Sequence, residues 1–350
     1  MTTAPFLQAA IGQRGTHTPV WFMRQAGRSL PEYRARRGSG SILEAIKQPD
    51  LAAELSLQPV LRYGVDAAVL YSDIVVPAHA VGFGIDVAPG TGPVCETPLR
   101  SADDLRRLRP LDAEADTPYV LQTVKILAAE LPDSVPLLAF AGAPFTVASY
   151  LIEGRPSRTY EHTKAMMHAD PTLWHQLMEK LVQHAVASIS SQIDHGARAF
   201  QLFDSWVGAL SRADYDRFVL PHSTAVFSAL AGRHPDTPGI HFGIGCDHLL
   251  ESMHAARSQV LGLDWRTSIA DARRRMGADL VVQGNLDPAL VLAGTDVAVA
   301  AADAVLDDNV SPDGEQHPGH IFNLGHGVQP NTDPNVLQAV VDRVKERTSR

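Results

Sequence analysis

The sequence predicts an α/β protein built as a single (β/α)₈ barrel. Short apolar runs recur along the chain, helical segments lie between them, and several runs are continuously apolar, as strands buried on both faces are. Alternation of strands and helices indicates a parallel sheet, and eight repeats favour its closure into a barrel. The eight predicted strands are residues 19–23, 67–71, 136–140, 199–203, 240–242, 260–263, 280–283 and 321–324.

Two of the helical segments carry clear start signals. Asp170-Pro171 and Asp333-Pro334 each combine an N-cap residue with a proline suited to the first turn. Apolar residues then recur at helical spacing on one face. These faces are Trp174, Leu177, Leu181 and Val182 in the first helix, which ends before Gly196, and Leu337, Val340, Val341 and Val344 in the second.

The rest of the organisation is simple. Residues 84–98 are rich in glycine and proline and predict a small hairpin-like excursion between the second and third strands. We find no low-complexity linker and no abrupt change of composition, so residues 1–350 are expected to form one domain. An open, doubly wound sheet is the alternative, because strand order cannot be read from a sequence. The run at residues 19–23 is the weakest of the eight strands.

Composition limits the classes of function. The formal net charge of −9 disfavours nucleic-acid binding, because a basic surface normally supplies that affinity. Cys95 and Cys246 predict no disulfide framework and fit a reducing compartment. Residues 1–15 lack a secretory signal, and no run approaches the roughly 20 apolar residues of a membrane span. We therefore expect a cytoplasmic protein that binds neither nucleic acid nor membrane.

In such barrels the active site lies at the carboxyl ends of the strands. The residues there mix cations, carboxylates, hydroxyls and a glycine-flanked histidine, without a glycine-rich phosphate-binding signature. In chain order they are Arg24 to Arg28, Ser72-Asp73, Gly142 to Thr146 with Tyr150, Asp204-Ser205, Gly243 and Gly245, Asp264, Gly284 to Asp287, and Gly325-His326-Gly327.

The candidate residues each allow two interpretations. Arg24 and Arg28 are either two guanidinium groups presented to carboxylates or ordinary surface arginines. Their position after an apolar run, close to Arg34, Arg36 and Arg37, favours a site for a polyanion. Asp73 lies in an apolar run and is either a desolvated functional carboxylate or a helix cap.

Three further candidates have weaker signals. Tyr150 is a core tyrosine or a ligand contact, and Ser205 is a helix cap or a ligand contact. His326 is flanked by glycines that let the backbone approach a ligand closely, although a lone histidine is usually a packing residue.

Several blocks of this sequence resemble the uroporphyrinogen decarboxylase family. The first signature is long and specific, the others are moderate, and their order matches the family over nearly the whole chain. The matching blocks are PVWFMRQAGRSLPEYR at residues 19–34, YSDI at 71–74, GAPFTVASYLIEG at 142–154, QLFDS at 201–205 and NLGHG at 323–327.

The resemblance implies a homodimeric, cytoplasmic (β/α)₈ barrel that uses no metal or organic cofactor. Its reaction would convert the four acetate side chains of uroporphyrinogen III to methyl groups, giving coproporphyrinogen III in porphyrin and haem biosynthesis. Carried over by motif, Asp73 and Arg24 are the catalytic residues, with Asp73 holding the pyrrole N–H groups. The implied substrate contacts are Arg24, Gln25, Ala26, Gly27, Arg28, Asp73, Tyr150, Ser205 and His326, with Arg37 as an additional carboxylate partner.

Other functions remain to be distinguished. A zinc-dependent corrinoid or thiol methyltransferase of the same barrel superfamily would need a His-x-Cys pair and a later cysteine, whereas this chain has His241-Phe242-Gly243 and a wrongly spaced Cys246. A non-catalytic tetrapyrrole-binding protein would use the arginines but would not need Asp73. Aldolase-type chemistry would need a Schiff-base lysine, and the eight strand ends offer none.

Overall fold

The computed structural model describes residues 4–88, 90–310 and 314–350. Within these residues the strands are β1 (Ala68–Val69), β2 (Ile85–Ala88), β3 (Gly92–Cys95), β4 (Leu137–Gly142), β5 (Ala199–Asp204), β6 (Gly239–Gly243), β7 (Val260–Gly262), β8 (Val282–Leu286) and β9 (His320–Leu324). Strands β1, β4, β5, β6, β7, β8 and β9 pair in this order, and every pair is parallel.

Helices alternate with these strands. They are α1 (Pro5–Ala10), α2 (Pro31–Arg37), α3 (Ile42–Ile46), α4 (Pro49–Tyr63), α5 (Val76–Ala80), α6 (Ala102–Leu105), α7 (Ala113–Asp116), α8 (Pro118–Glu130), α9 (Pro144–Glu153), α10 (Glu161–Ala169), α11 (Pro171–Asp194), α12 (Arg212–Phe218), α13 (Leu220–Arg233), α14 (Leu250–Ala255), α15 (Ile269–Met276), α16 (Pro288–Val291), α17 (Thr295–Asp307) and α18 (Pro334–Thr348), with short 3₁₀ turns at Val207–Ala209 and Asp247–Leu249. No helix in the described ranges is both long and apolar enough to cross a lipid bilayer.

The segment at residues 19–23 lies between the two ends of the sheet. Val20 pairs in parallel with Phe322 of β9, and the Phe322 N–H donates to the Pro19 carbonyl at 2.8 Å. On the other side, the N–H of Asp66, just before β1, donates to the Val20 carbonyl at 2.8 Å. Because one segment bonds to both edges, the sheet curls into the predicted barrel.

The first predicted strand is reduced to a single bridge because side chains distant in the sequence bind its N–H groups. The Val20 N–H donates to the Asp66 carboxylate at 2.9 Å, and the Met23 N–H donates to the Asn323 side chain at 3.0 Å. Side chains therefore take donors that a regular ladder would use. Arg24 then adopts a left-handed backbone with φ of 58°, which ends the extended run. The other seven predicted strands are confirmed, although β1 retains two residues.

The predicted excursion is also confirmed. β2 and β3 pair antiparallel, with Ile85 opposite Cys95. Pro89, within the predicted 84–98 segment, lies outside the described residues, as do residues 1–3 and 311–313 of the predicted single domain. The hairpin docks on α9, because the Cys95 N–H donates to the Gly154 carbonyl at 2.8 Å.

Both predicted helix starts are confirmed. The Asp170 carboxylate accepts the Leu173 N–H at 3.0 Å, and the Asp333 carboxylate accepts the Asn335 N–H at 2.9 Å. The predicted apolar faces are buried apart from Val182, which is half-buried.

A polar chain crosses the buried barrel interior. Trp21 Nε1 donates to Gln283 Oε1 at 3.0 Å, and Gln283 Nε2 donates to Gln201 Oε1 at 2.9 Å. All three side chains are buried. These hydrogen bonds therefore offset the free-energy cost of placing polar atoms in the interior. These hydrogen bonds connect the bridging segment to β8 and β5 through the barrel interior.

Asp66 should be important for stability because it joins several elements. Besides the Val20 N–H, its carboxylate contacts His17 Nε2 at 2.8 Å and Lys345 Nζ at 3.3 Å. We expect Asp66→Ala to lower the free energy of unfolding by about 2–3 kcal/mol, measured by denaturant unfolding. The exposed Asp103, which pairs only at the surface with Arg106, is the control, and Asp103→Ala should cost under about 1 kcal/mol. Equal losses in the two variants would contradict this role.

Candidate active site

The predicted site residues lie at the carboxyl ends of the strands, on one end of the barrel. Residues 24–28 follow the bridging segment, Asp73 follows β1, and Ser205 directly follows β5. Tyr150 lies on α9 after β4, and His326 lies two residues beyond β9. The parallel topology therefore collects these five positions around one rim.

Arg24 is held in place by both its backbone and its neighbours. The Val328 N–H donates to the Met23 carbonyl at 2.8 Å, so the chain after β9 runs beside the arginine. A Cβ atom added to Gly327 would lie 2.5 Å from Arg24 Cδ. The glycine therefore leaves room for the aliphatic part of the arginine, and any larger residue would displace it.

Gln25 has a structural role in this loop. Its side chain is buried, Nε2 donates to the Ala67 carbonyl at 3.0 Å, and Oε1 accepts the Phe22 N–H at 3.1 Å. These bonds fasten the loop to the start of β1. Ala26 and Gly27 are half-buried, and the Leu30 N–H donates to the Gly27 carbonyl at 3.0 Å, which forms a tight turn.

The arginines divide into two groups. Arg34 Nη1 donates to the Arg28 and Ser29 carbonyls, and Arg36 Nε pairs with Glu54 at 2.6 Å, so both of these arginines support the fold. The side chains of Arg24 and Arg28, in contrast, make no hydrogen bond or ion pair with any residue that the structure describes, and both residues are exposed. Two guanidinium groups are thus available for an anionic ligand.

Arg37 is intermediate between these groups. It is half-buried, and its Nη1 and Nη2 atoms donate to the Gly38 and Gly40 carbonyls at 3.2 and 2.6 Å. Its buried Nε has no partner among the described residues. The guanidinium is therefore positioned by backbone carbonyls, and its buried Nε–H donor is unused.

Asp73 combines the two interpretations that the sequence left open. Its Oδ1 accepts the Val75 N–H at 3.0 Å, just before α5 begins, as a capping carboxylate would. Burial raises the pKa of Asp73, while the backbone bond to Val75 and the charge of Arg24 oppose that rise. Asp73 is thus a partly desolvated carboxylate beside an arginine, which is the environment of a functional acid group.

Tyr150 lies close to both of these charges. Its side chain is buried and packs edge-on against Trp206, with the ring centroids 6.0 Å apart. Burial raises the pKa of Tyr150 to about 12, Asp73 adds to this effect, and Arg24 opposes it. The phenol therefore stays protonated at neutral pH and can donate a hydrogen bond.

His326 is a neutral donor at the same rim. Burial first, and then the charge of Arg24, lowers the pKa of His326 to about 4. Its Nδ1 accepts the Gly327 N–H, which assigns the ring proton of the neutral imidazole to Nε2. The side chain is half-buried, so Nε2–H is a donor suited to a ligand oxygen.

Buried hydrogen bonds among Thr146, Asp204 and Trp206, which we call the clasp, position Ser205. No sequence pattern predicted them. Thr146 Oγ1 donates to Asp204 Oδ1 at 2.9 Å and accepts the Trp206 N–H at 3.3 Å. Asp204 is fully buried, whereas Ser205 beside it is half-buried. The clasp joins the start of α9 to the end of β5 and so fixes Tyr150, Ser205 and Trp206 relative to one another.

The residues of a thiolate zinc site are not assembled. Cys246 Sγ donates to the Ile244 carbonyl at 3.3 Å, and His241 Nε2 lies 3.7 Å from Asp204 Oδ2 inside the barrel. Within the described ranges, no three histidine, cysteine, aspartate or glutamate side chains are arranged to hold a metal ion. This arrangement disfavours the methyltransferase alternative, which depends on such a set.

The site as a whole suits one class of ligand. Arg24 and Arg28 offer cations, Tyr150 and His326 offer neutral donors, and Asp73 offers one acceptor for N–H groups. A molecule with several carboxylates around an N–H-bearing centre would satisfy each of these groups.

Comparison with known proteins gives consistent results. A family model described as uroporphyrinogen decarboxylase (URO-D) matches residues 1–347. A protein from Salinispora tropica named uroporphyrinogen decarboxylase is 53% identical, over 99% of this chain and 91% of that protein. A protein of the same name from Mycobacterium tuberculosis H37Rv is 52% identical, over 97% of both chains. A solved methyltransferase from Methanosarcina mazei superposes with a TM-score of 0.79 at 19% identity, over 99% and 98% of the two chains, which supports the fold alone.

The clasp generates a prediction about stability. Thr146→Val keeps the side-chain shape but leaves the buried Asp204 Oδ1 without its donor, so we expect a loss of about 1–3 kcal/mol in unfolding free energy. Thr146→Ser retains the hydroxyl and should lose clearly less. Denaturant unfolding of the three proteins checks this, and a serine variant as unstable as the valine variant would argue against the clasp.

Proposed function

The chain belongs to the uroporphyrinogen decarboxylase family, and from this premise we propose that Arg24, Arg28 and Asp73 hold uroporphyrinogen III for its decarboxylation. The reaction removes CO₂ from each of four acetate side chains and leaves methyl groups, giving coproporphyrinogen III in porphyrin and haem biosynthesis. The observation that carries the site assignment is the pair of arginines whose side chains have no partner among the described residues, near a half-buried carboxylate whose pKa is raised by desolvation.

The chemistry of the substrate explains why these groups are needed. Protonation of a pyrrole carbon makes a cationic ring, and the bond between the acetate methylene and its carboxylate then breaks, with the electron pair moving into the ring. CO₂ leaves, and protonation of the methylene followed by loss of the ring proton leaves a methyl group. Each acetate therefore consumes one proton and releases one CO₂, and the protein must stabilise a transient cation.

Asp73 is suited to that task. In a partly dry site a carboxylate stabilises a nearby cation more strongly than it would in water. Pyrrole N–H groups would replace the water that burial removes from Asp73, so binding favours its ionised form. Arg24 lies close enough to influence the pKa of Asp73 and would orient the reacting acetate.

The remaining residues complete the proposed substrate contacts. Arg28 and Arg37 would pair with other carboxylates, while Tyr150, Ser205 and His326 would donate hydrogen bonds to substrate oxygens. Gln25, with Ala26 and Gly27, shapes the loop. We further propose a cytoplasmic homodimer of one-domain subunits that uses no metal or organic cofactor, because the pyrrole ring itself accepts the electrons.

The function is tested by anaerobic incubation of the purified, chelator-treated protein with reduced uroporphyrinogen III. We expect porphyrinogens with seven, six, five and four carboxylates to appear in turn, resolved chromatographically after oxidation. Bound substrate without product would favour a tetrapyrrole-binding protein. Stoichiometric zinc, with methyl transfer to a thiol, would favour the methyltransferase alternative.

Asp73→Asn tests the catalytic carboxylate. Asparagine can still accept the Val75 N–H, so the fold should persist, but the negative charge is lost and kcat should fall by about 100-fold or more. Because the pKa of Asp73 is raised in the ligand-free protein, wild-type kcat/KM should fall as the pH drops through it and the carboxylate becomes neutral. The residual activity of the variant should lack this acid limb. Near-normal kcat in a folded variant would refute the role.

A further inference from the structure

Two buried tyrosines are in contact between α2 and the segment that follows β1. Tyr33 lies on α2, and Tyr71 lies two residues before Asp73. Their hydroxyl oxygens are 3.0 Å apart, and their rings pack edge-on with centroids separated by 5.9 Å. The contact joins the helix that carries Arg37 to the strand end that carries Asp73.

One of the two hydroxyl protons of this pair is not used in a hydrogen bond to the described residues. Two hydroxyl groups bring two protons, and one proton is used between the two oxygens. The other proton has no acceptor among the residues that the structure describes. Buried donors normally have a partner, so the unused hydroxyl proton is available to an acceptor from outside the chain if other groups near it favour such a ligand.

The positive charges of Arg28 and Arg37 near Tyr33 indicate that the acceptor is an anion. Tyr33 and Arg37 lie four residues apart on α2 and so share one face of the helix, and Arg28 lies three residues before α2 begins. Burial raises the pKa of Tyr33 and the hydrogen bond to Tyr71 adds to this rise, while the charges of Arg37 and Arg28 oppose it, so the phenol stays protonated. Both guanidinium groups therefore act on this hydroxyl. The Arg28 side chain makes no hydrogen bond or ion pair with the described residues, and the buried Nε of Arg37 has no partner among them. An incoming anion would meet an O–H donor and two cations together.

The charged groups that influence Tyr33 differ from those that influence Tyr150 and His326. The charges that act on Tyr150 and His326 include Arg24, and Asp73 also acts on Tyr150. The charges that act on Tyr33 are instead those of Arg37 and Arg28, with Tyr71 as its hydrogen-bond partner. The rim thus holds two clusters of donors, one around Asp73 and one around the tyrosine pair.

We propose that Tyr33, oriented by Tyr71, donates a hydrogen bond to a substrate carboxylate other than the one being lost, together with Arg28 and Arg37. The proposal rests on the proposed function and extends it with a second carboxylate subsite. Because a carboxylate held here is unchanged during the reaction, the contact strengthens ground state and transition state equally. It should therefore affect KM and leave kcat unchanged.

Removal of single hydroxyl groups tests the subsite. We expect Tyr33→Phe to raise KM for uroporphyrinogen III about tenfold, or ~1.4 kcal/mol, with kcat within about twofold of wild type. Tyr71→Phe should have a smaller effect, because Tyr33 keeps its donor and loses only its orientation. The double variant should match Tyr33→Phe, since both substitutions act through one hydroxyl.

Tyr63→Phe is the matched control. Tyr63 is buried on α4, and its hydroxyl has no partner among the described residues. The charges that act on it come from Arg62, Glu32 and Asp333 rather than from the arginines of the subsite. Its KM should stay at the wild-type value. Circular dichroism and thermal midpoints of all four variants establish that they are folded.

An unchanged KM in folded Tyr33→Phe would overturn the subsite, and so would a fall in kcat without a change in KM. If the proposed function itself is wrong, the wild-type protein will form no product, so KM cannot be measured. Fluorescence titration with oxidised uroporphyrin then tests the subsite without turnover. Binding about tenfold weaker in Tyr33→Phe than in Tyr63→Phe would support it, and equal binding would overturn it.

Discussion

The backbone around Val20 hydrogen-bonds to two strands at once, to β9 through Phe322 and to the start of β1 through Asp66. A barrel needs every edge strand to find a partner, because unpaired N–H and C=O groups at an edge are exposed to solvent. Here the closing segment is only a few residues long. Arg24 follows immediately, so the same bonds that close the barrel also place the first guanidinium at its rim.

Barrel closure also determines the direction in which the side chains of residues 24–28 point. Gln25 is turned inward by its bonds to Ala67 and Phe22, which leaves Arg24 and Arg28 facing outward on either side of it. Gly327 keeps the other wall of the arginine free of side-chain atoms. In the proposed function, the fold therefore positions these arginines, and their exposed charges would bind the substrate carboxylates. This division explains how an acidic protein with a net charge of −9 can hold a polyanion locally.

Much of this could be predicted from the sequence. Continuous apolar runs identified the strands because parallel strands are buried on both faces, and the Asp-Pro pairs identified two helix starts because capping is local chemistry. The hairpin followed from its glycines and proline. The family motifs located the rim residues, whose roles remain predictions.

The features that could not be predicted from the sequence depend on hydrogen bonds between residues far apart in the chain. The Tyr33–Tyr71 bond spans 38 positions and the Thr146–Asp204 bond spans 58, and no local pattern encodes either pairing. The shortness of the first strand has the same origin, because the Asp66 and Asn323 side chains take its donors from far along the chain. Gln25 lies inside a signature motif, yet its contacts are structural. A motif thus marks where a site is, whereas tertiary hydrogen bonds decide which of its residues can face a ligand.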